Sequence, residues 1–300
     1  MSTRRKVAFG AVAYVLLLIL VGVIFGSDGK NEEFQPQNEF KLDPWLDLKL
    51  GPIDMSLNKA VLYVVLAAAL TVAAMTYVAK RMTDKPNRVQ TAVEAAYDLT
   101  RNNIAGGNMD HRMALRWFPF VGTLFFFIWF SNMIGYVPLP TNTEHTVDVF
   151  GVALPTFAIY AATANLSVPL VLTLIVFVSY QVEGVRAKGL FAYLKGWIPA
   201  GTPRALKPVL FGIEVISQFV RIVSLSVRLF ANILAGHLLI LFMGGGLAVL
   251  LGLSALGVLT LPAAVVFFIF EVGLIATLQA FIFATLTSIY FGEATAAGGH

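Results

Sequence analysis

The sequence predicts an all-α polytopic membrane protein with about five core transmembrane helices. Of the 300 residues, 58% are hydrophobic and only 13% are charged, and the mean hydropathy is +0.78. A typical soluble domain has about 25% charged residues, so this composition excludes that class. The chain contains no cysteine, which excludes disulfide frameworks, thiolate metal sites and cysteine nucleophiles.

The N-terminal segment has the form of a signal sequence. Residues 7–26 are an apolar run behind a basic stretch at 4–6, so residues 1–26 are predicted to be a signal peptide or a signal anchor. Retention of the segment is favoured, because Ile24-Phe25-Gly26 is a poor cleavage site. Residues 27–56 are polar and acidic, and this pattern predicts an extracytoplasmic segment.

Residues 57–293 form the predicted membrane domain. Spans are expected at about 58–79, 116–137 and 156–182, with a weakly amphipathic helix at about 86–112 and two longer apolar blocks at about 208–243 and 246–291. Either each long block is a helical hairpin, or both are long tilted helices joined at a membrane turn, Gly244-Gly245-Gly246. A span needs about 20 residues, so length alone leaves both alternatives open.

The distribution of basic residues predicts the orientation. Lys and Arg concentrate at 4–6, 80–116 and 186–207 and are absent from 138–155. Cytoplasmic loops carry an excess of Lys and Arg, and alternating spans place all three basic regions on that side. A multi-pass protein with a cytoplasmic tail at 294–300 is therefore expected.

A single arginine, Arg228, lies in the middle of the first long block. A guanidinium at bilayer depth costs about 2.5–3.5 kcal/mol on insertion scales. It cannot escape this cost by losing its proton, so the position requires a fixed positive charge inside the membrane. The alternative is that Arg228 pairs with Glu214 or Glu271 only to hold helices together, although buried ion pairs seldom improve on apolar packing.

Polar and small residues around Arg228 recur at helical spacing. The residues at steps of three or four are Ser217, Arg221, Ser224, Arg228, Asn232 and Ala235. Glu214 falls near the same face, whereas His237 is rotated about 180° away, at about 100° per residue. This helix therefore presents one polar face to one neighbour and directs His237 toward another environment.

Glu271 is isolated in the second long block, and a carboxyl in such apolar surroundings favours its protonated form unless it is paired. This property suits a proton relay, and His237 is a plausible partner. Gln279 is interpreted either as an interhelical hydrogen-bonding group or as a contact of the polar face. Four polar residues in the second and third core spans are more typical of hydrogen bonds between helices than of a pathway: Asn132, Thr163, Asn165 and Ser167.

Several functional classes are excluded. The Ser, His and Asp residues form no hydrolase arrangement, and the chain contains no Gly-rich phosphate loop. The pI is about 9.3, but the basic residues are spread over loops, which argues against a nucleic-acid partner. We therefore expect a non-catalytic protein that has no cofactor, no metal site and no nucleotide site.

Two motifs closely resemble subunit a of the F-type ATP synthase over roughly residues 57 to 293. The first is Ser224-Leu-Ser-Val-Arg-Leu-Phe-Ala-Asn-Ile-Leu-Ala-Gly-His237, and the second is Leu278-Gln-Ala-Phe-Ile-Phe-Ala-Thr-Leu-Thr-Ser-Ile-Tyr290. The first motif is highly specific. The resemblance implies a proton-channel subunit of a bacterial plasma membrane, in contact with lipid, a rotating c-subunit ring and the subunit b peripheral stalk.

The resemblance also implies roles for particular residues. The two final helices would lie tilted against the c-ring, which favours long helices over hairpins. The family's essential arginine maps onto Arg228, the adjacent amide onto Asn232, and the exchangeable Glu/His pair onto His237 and Glu271. Gln279 matches the family's glutamine, and positions lining the proton path map onto Glu214 and Ser224.

Departures from the family pattern change the expectation for two spans. Some members carry carboxylates where this chain has Gly135 and Thr163, so these spans are expected to contribute less to proton access. The usual Gly before the motif asparagine is Ala231. Three rival interpretations are a secondary ion transporter with a charged midplane site, a structural scaffold, and a sodium-coupled version of the rotary subunit. The transporter interpretation predicts inverted repeats, and none is visible in the sequence.

Overall fold

The computed structural model describes most of the predicted membrane domain. The described residues are 3–25, 42, 49–50, 53–54, 56–81, 87–136, 146–149, 152–155, 161–199, 201–246, 251 and 254–296. Most of the predicted extracytoplasmic segment at 27–56 lies outside these residues, as do residues 297–300 of the predicted tail.

The described part of the chain is built almost entirely from helices. In chain order these are α1 (Thr3–Phe25), α2 (Lys59–Arg81), α3 (Arg88–Asp98), α4 (Gly106–Asn108), α5 (His111–Ile134), α6 (Ser167–Lys188), α7 (Leu190–Gly196), α8 (Lys207–Leu241), α9 (Ser254–Phe270) and α10 (Ala276–Thr295). Single π-helical segments follow α3 (Leu99–Ala105) and α8 (Phe242–Gly246) and link α9 to α10 (Glu271–Ile275). A 3₁₀ turn covers Ala162–Ala164.

Two short antiparallel hairpins complete the secondary structure of the described residues. Strand β1 (Lys49–Leu50) pairs with β2 (Ile53–Asp54), and β3 (Thr146–Val149) pairs with β4 (Val152–Pro155). The second hairpin lies in the segment that the sequence predicts as a plain loop. Neither hairpin changes the fold class, because the strands have only two or four residues each.

The prediction of a polytopic all-α membrane protein is confirmed. Within the described residues, five helical stretches are long and apolar enough to cross a membrane: Lys59–Tyr77, His111–Ile134, Ser167–Lys188, Lys207–Gly244 and Leu256–Thr295. The last two contain 38 and 40 residues, so in the described residues each long apolar block holds one continuous helical stretch, and the hairpin alternative is wrong. Helix α8 alone has 35 residues, or about 52 Å at 1.5 Å per residue, against a hydrocarbon core of about 30 Å.

The amphipathic segment and the second span divide differently from the prediction. The side chain of Asn87 accepts the Gln90 backbone N–H at 2.8 Å and caps the start of α3. Helix α5 already begins at His111, because extended Asp110 interrupts the helical path and its carbonyl accepts the Ala114 N–H at 2.8 Å. The expected single helix at 86–112 is therefore interrupted.

The prediction of the third span at 156–182 is wrong at both ends, because α6 runs from Ser167 to Lys188. Residues 156–160 lie outside the described residues. Asn165 is extended, with φ −106° and ψ 125°, and its side chain accepts the Ser167 N–H at 2.9 Å, so the helix starts there. The helix ends at Gly189, whose φ of 79° favours glycine, so Lys188 lies in a helix rather than in a loop.

The contacts divide the chain into two compact units. The first unit comprises residues 1–59, 136–160 and 233–275, and the second comprises 60–135, 161–232 and 276–300. In the first unit, α1 packs on α9, and the Tyr14 hydroxyl donates to the Val258 carbonyl.

In the second unit, α10 packs on α5 and α6. The buried core includes Phe283 and Phe291, both at most 1% exposed. A Cβ on Gly292 would collide with the backbone carbonyl of Asn108, so only glycine permits α10 to approach α4 this closely. Arg116 of α5 forms a 2.7 Å ion pair with buried Glu183 of α6.

Candidate functional site

The predicted polar face of α8 is largely open. We call it the arginine stripe, and its members are Ser217, Arg221, Ser224, Arg228, Asn232 and Ala235. Ser224, Arg228 and Asn232 are exposed, whereas Leu225 and Leu229 are only 2% and 1% exposed. Helical periodicity thus leaves Ser224, Arg228 and Asn232 on an unpacked side of α8, as the sequence predicts. The valines at 220, 223 and 227 are also exposed, and the packed side includes buried Gln218 and Ser226.

Arg228 is exposed on this stripe. Among the described residues of its unit, it forms neither an ion pair nor a hydrogen bond. Glu214, one of its two candidate partners, instead accepts a hydrogen bond from Gln218 at 2.7 Å. The interpretation of Arg228 as a helix-clamping ion pair with Glu214 is therefore not supported, and the guanidinium remains open to a group outside this unit.

Glu214 belongs to a hydrogen-bonded network that the sequence did not reveal. The Oε1 atom of Gln218 accepts from the Tyr180 hydroxyl at 2.7 Å and from Gln181 Nε2 at 3.3 Å. The Tyr193 hydroxyl in turn donates to Gln181 Oε1 at 2.7 Å. Gln218 is 6% exposed, so α6 and α7 fix the rotamer of the side chain that donates to Glu214. The only sequence signal was the i, i+4 spacing of Glu214 and Gln218.

Arg221, one turn before Ser224, has a partner. Its guanidinium forms a 2.6 Å ion pair with Glu293 and lies over the ring of Tyr290, 5.0 Å from the centroid. The ring supplies a cation–π contact. Glu293 was missed as a site residue, because an acid in the last turn of a helix resembles an ordinary solvated charge.

His237 and Glu271 meet at a common residue, Tyr136, within the first unit. The Tyr136 hydroxyl donates to Glu271 Oε2 at 3.1 Å, and its ring lies 4.6 Å from the His237 ring, inclined by 33°. His237 Nδ1 lies 2.8 Å from the carbonyl oxygen of Ile233. Tyr136 and Glu271 are 5% and 8% exposed. We call Tyr136, Gly236, His237 and Glu271 the carboxyl cluster.

Gly236 allows the carboxyl of Glu271 to approach α8. A Cβ at position 236 would lie 2.8 Å from Glu271 Oε1 and closer still to the carboxyl carbon and Oε2. Real Cβ atoms do not come this close to other atoms, so any larger residue at position 236 would force the Glu271 carboxyl to shift. Glu271 is the first residue of the Glu271–Ile275 π-helical turn, and such turns are frequent at functional sites.

The remaining polar candidates are packed between helices. Gln279 is 6% exposed on α10, and among the described residues of its unit no hydrogen bond joins it to the arginine stripe. Asn132 donates to the Ala276 carbonyl at 3.2 Å and accepts from the Thr163 hydroxyl at 2.7 Å. These bonds agree with the interpretation of Asn132 and Thr163 as interhelical hydrogen-bonding groups. The same interpretation does not hold for Asn165 and Ser167, because the Asn165 side chain accepts the Ser167 backbone N–H at the start of α6.

A cavity of about 710 Å³ lies in the second unit, where the start of α5 meets the ends of α6 and α10. Its lining includes Asn108, Asp110, Ala187 and Glu293. The cavity therefore adjoins the acidic partner of Arg221.

Comparison with known proteins agrees with the resemblance. The family profile described as "ATP synthase A chain" matches residues 61–292. ATP synthase subunit a of Rubrobacter xylanophilus is 36% identical over 82% of this chain and 86% of that protein. The Hyphomonas neptunium protein of that name is 32% identical over 88% and 97%, and the Parvibaculum lavamentivorans protein is 35% identical over 86% and 92%. The chain thus belongs to the ATP synthase subunit a family of the F-type ATP synthase.

Proposed function

We propose that this chain is the proton-channel subunit of an F-type ATP synthase and that Arg228 separates two offset half-channels that serve the c-ring. The observation that carries the proposal is an exposed guanidinium, unpaired within its unit, on a polar stripe of a 38-residue apolar helical stretch. A charge at membrane depth is stable only beside water or a charged partner. A ring carboxylate is a partner of the right charge.

The carboxyl cluster is the proposed inlet half-channel. Glu271 is a buried carboxyl that can take and release a proton, and His237 is an imidazole, which titrates near neutral pH when unperturbed. Tyr136 contacts both side chains. A proton taken up from the extracytoplasmic side would pass through these groups and neutralise a ring carboxylate.

The acidic groups near the cytoplasmic ends of the second unit are the proposed outlet. Glu214 accepts from Gln218, and Glu293 adjoins the 710 Å³ cavity. The ends of α6 and α10 and the start of α5 meet there, and the positive-inside pattern assigns these ends to the cytoplasm. Ser224 and Asn232 lie on the exposed stripe and would face the ring, and Gln279, which is buried on α10, is a further proposed residue of the proton path.

Electrostatics then couples rotation to proton flow. When a protonated ring carboxyl reaches Arg228, the fixed positive charge favours its ionised form, so the proton leaves through the outlet. The same charge repels a proton that would cross directly from inlet to outlet. The subunit itself breaks no covalent bond. The c-ring, the subunit b peripheral stalk and the lipid of a bacterial plasma membrane are its proposed partners.

The decisive experiment is Arg228→Ala, with Arg101→Ala as a matched loss of an exposed arginine in the same unit. Removing a preorganised charge reduces rates by about 100-fold or more, so ATP-driven proton pumping in inverted vesicles should be abolished for Arg228→Ala. The complex should still assemble, and Arg101→Ala should pump normally. Wild-type pumping by Arg228→Ala would contradict the proposal, and loss of assembly in Arg228→Ala would favour the scaffold interpretation.

A further inference from the structure

We infer that Tyr136 is a positioning residue of the inlet half-channel: its hydroxyl holds the Glu271 carboxyl and its ring holds the His237 imidazole. The inference rests on the proposed function and adds a residue to it. No sequence feature pointed to this role, because a tyrosine at the end of a span is typical of the aromatic belt at a membrane surface.

The geometry of Tyr136 differs from that of a belt tyrosine. Belt residues direct the hydroxyl toward water, whereas Tyr136 is only 5% exposed and its hydroxyl donates a hydrogen bond to a carboxyl oxygen of Glu271. Glu271 is held from two sides, by this hydrogen bond and by contact with Gly236 of α8. The Glu271 carboxyl therefore has little freedom to reorient while this hydrogen bond is present.

The ring of Tyr136 acts on the second titratable group. Its centroid lies 4.6 Å from that of the His237 ring, with the two planes inclined by 33°, and the Phe268 ring contacts it edge-on at 6.4 Å. His237 Nδ1 faces the Ile233 carbonyl oxygen. Tyr136 therefore contacts both titratable groups, the His237 imidazole through its ring and the Glu271 carboxyl through its hydroxyl.

The titratable surroundings of Glu271 in the described first unit are few. Helix α8 contributes His237 and the turn after α5 contributes Tyr136. The titratable residue of α1, Tyr14, bonds instead to the Val258 carbonyl, thirteen residues before Glu271. Tyr136 donates the hydrogen bond to the ionised form, and hydrogen bonds to charged groups are the stronger kind. Its loss should therefore disfavour the ionised Glu271 that accepts an incoming proton.

Tyr136 directly follows a position at which the sequence resemblance indicated a departure from the family pattern. The second span has Gly135 where some members carry a carboxylate, which predicted that the span contributes little to proton access. The adjacent Tyr136 contributes a hydroxyl instead.

The test is Tyr136→Phe in the assembled complex, which keeps the ring and removes only the hydroxyl. Its matched control is Tyr97→Phe, at an exposed tyrosine of the second unit that contacts Phe118 edge-on. Proton pumping in inverted vesicles, normalised to assembled complex, should fall about tenfold for Tyr136→Phe, as expected for loss of a bond to a charged group. The midpoint of the pH–rate profile should move to higher pH, and Tyr97→Phe should change neither quantity.

Two further variants make every outcome decisive. Tyr136→Leu removes the ring as well and should lose more activity than Tyr136→Phe. If Tyr136→Phe matches the wild type in rate and pH profile, the positioning role of the hydroxyl is overturned, whatever Tyr136→Leu does. Glu271→Gln distinguishes the proposed inlet half-channel from the positioning role of Tyr136. Normal pumping by Glu271→Gln would overturn the proposed inlet. Loss of pumping in Glu271→Gln together with normal pumping by Tyr136→Phe would overturn only the role of Tyr136.

Discussion

The arginine stripe and the carboxyl cluster differ in how their ionisable side chains are surrounded. On the stripe, Arg228 is exposed and has neither an ion pair nor a hydrogen bond among the described residues of its unit. In the cluster, Glu271 is 8% exposed and receives a hydrogen bond from Tyr136. The Arg228 guanidinium has no partner within the described part of its own unit, whereas the Glu271 carboxyl is enclosed by residues of its own unit.

This difference follows from the chemistry of the two groups. Arginine cannot release its proton under physiological conditions, so enclosing it would only add a desolvation cost. A carboxyl can exist in both protonation states, so enclosure tunes the balance between them. The surroundings of Arg228 should therefore tolerate steric change, but loss of the Arg228 charge should not be tolerated. The carboxyl cluster should instead be sensitive to small steric changes.

Gly236→Ala gives the sharpest steric test, with Gly212→Ala on the same helix as its control. The added methyl would overlap the Glu271 carboxyl at position 236, whereas a Cβ at 212 meets no atom within 4 Å. Overpacking typically costs about 1–3 kcal/mol, so we expect about a tenfold loss of proton pumping for Gly236→Ala. Gly212→Ala should remain at the wild-type rate. Equal rates for both variants would show that the carboxyl moves aside freely.

Accessibility along α8 gives the second test, because the chain has no native cysteine. We expect Ser224→Cys and Asn232→Cys to react rapidly with a small silver or thiol reagent added from the cytoplasmic side. Leu229→Cys, at a site 1% exposed, should react about tenfold or more slowly. Reaction rates measured across 217–239 should show a helical period, and a flat profile would contradict an aqueous stripe.

The stripe was predictable from the sequence, whereas the cluster was predictable only in part. A period of 3.6 residues places Ser224, Arg228 and Asn232 on one face whatever packs against the other, and the exposure of these residues agrees. His237 and Glu271 stood out as isolated ionisable residues. Tyr136 and Gly236 did not, since their roles depend on tertiary contacts between segments distant in sequence.

Local backbone chemistry explains the errors in the fold prediction. Apolar content suggested a span from 156 to 182, but the side chain of Asn165 caps a helix that starts at Ser167. Hydropathy averages over a window and cannot register one cap. The Glu271–Ile275 π-helical turn is invisible for the same reason, since an inserted residue leaves an apolar run equally apolar.

The ion pair between Arg221 and Glu293 should show the smallest effect, and it tests whether the stripe contains one essential arginine or two. Arg221 and Glu293 retain 26% and 49% of their side-chain exposure, and the Tyr290 ring contributes a second contact to Arg221. Exposed pairs of this kind contribute about 0.2–1 kcal/mol, because water and salt screen them.

In a double-mutant cycle of Arg221→Gln and Glu293→Gln, pumping rates should therefore stay within about threefold to fivefold of the wild type. The small coupling should shrink further as the salt concentration rises. A loss in Arg221→Gln as complete as that expected for Arg228→Ala would instead place a second obligatory charge on the stripe, and the contrast between an open charge and a partnered one would fail within a single helix.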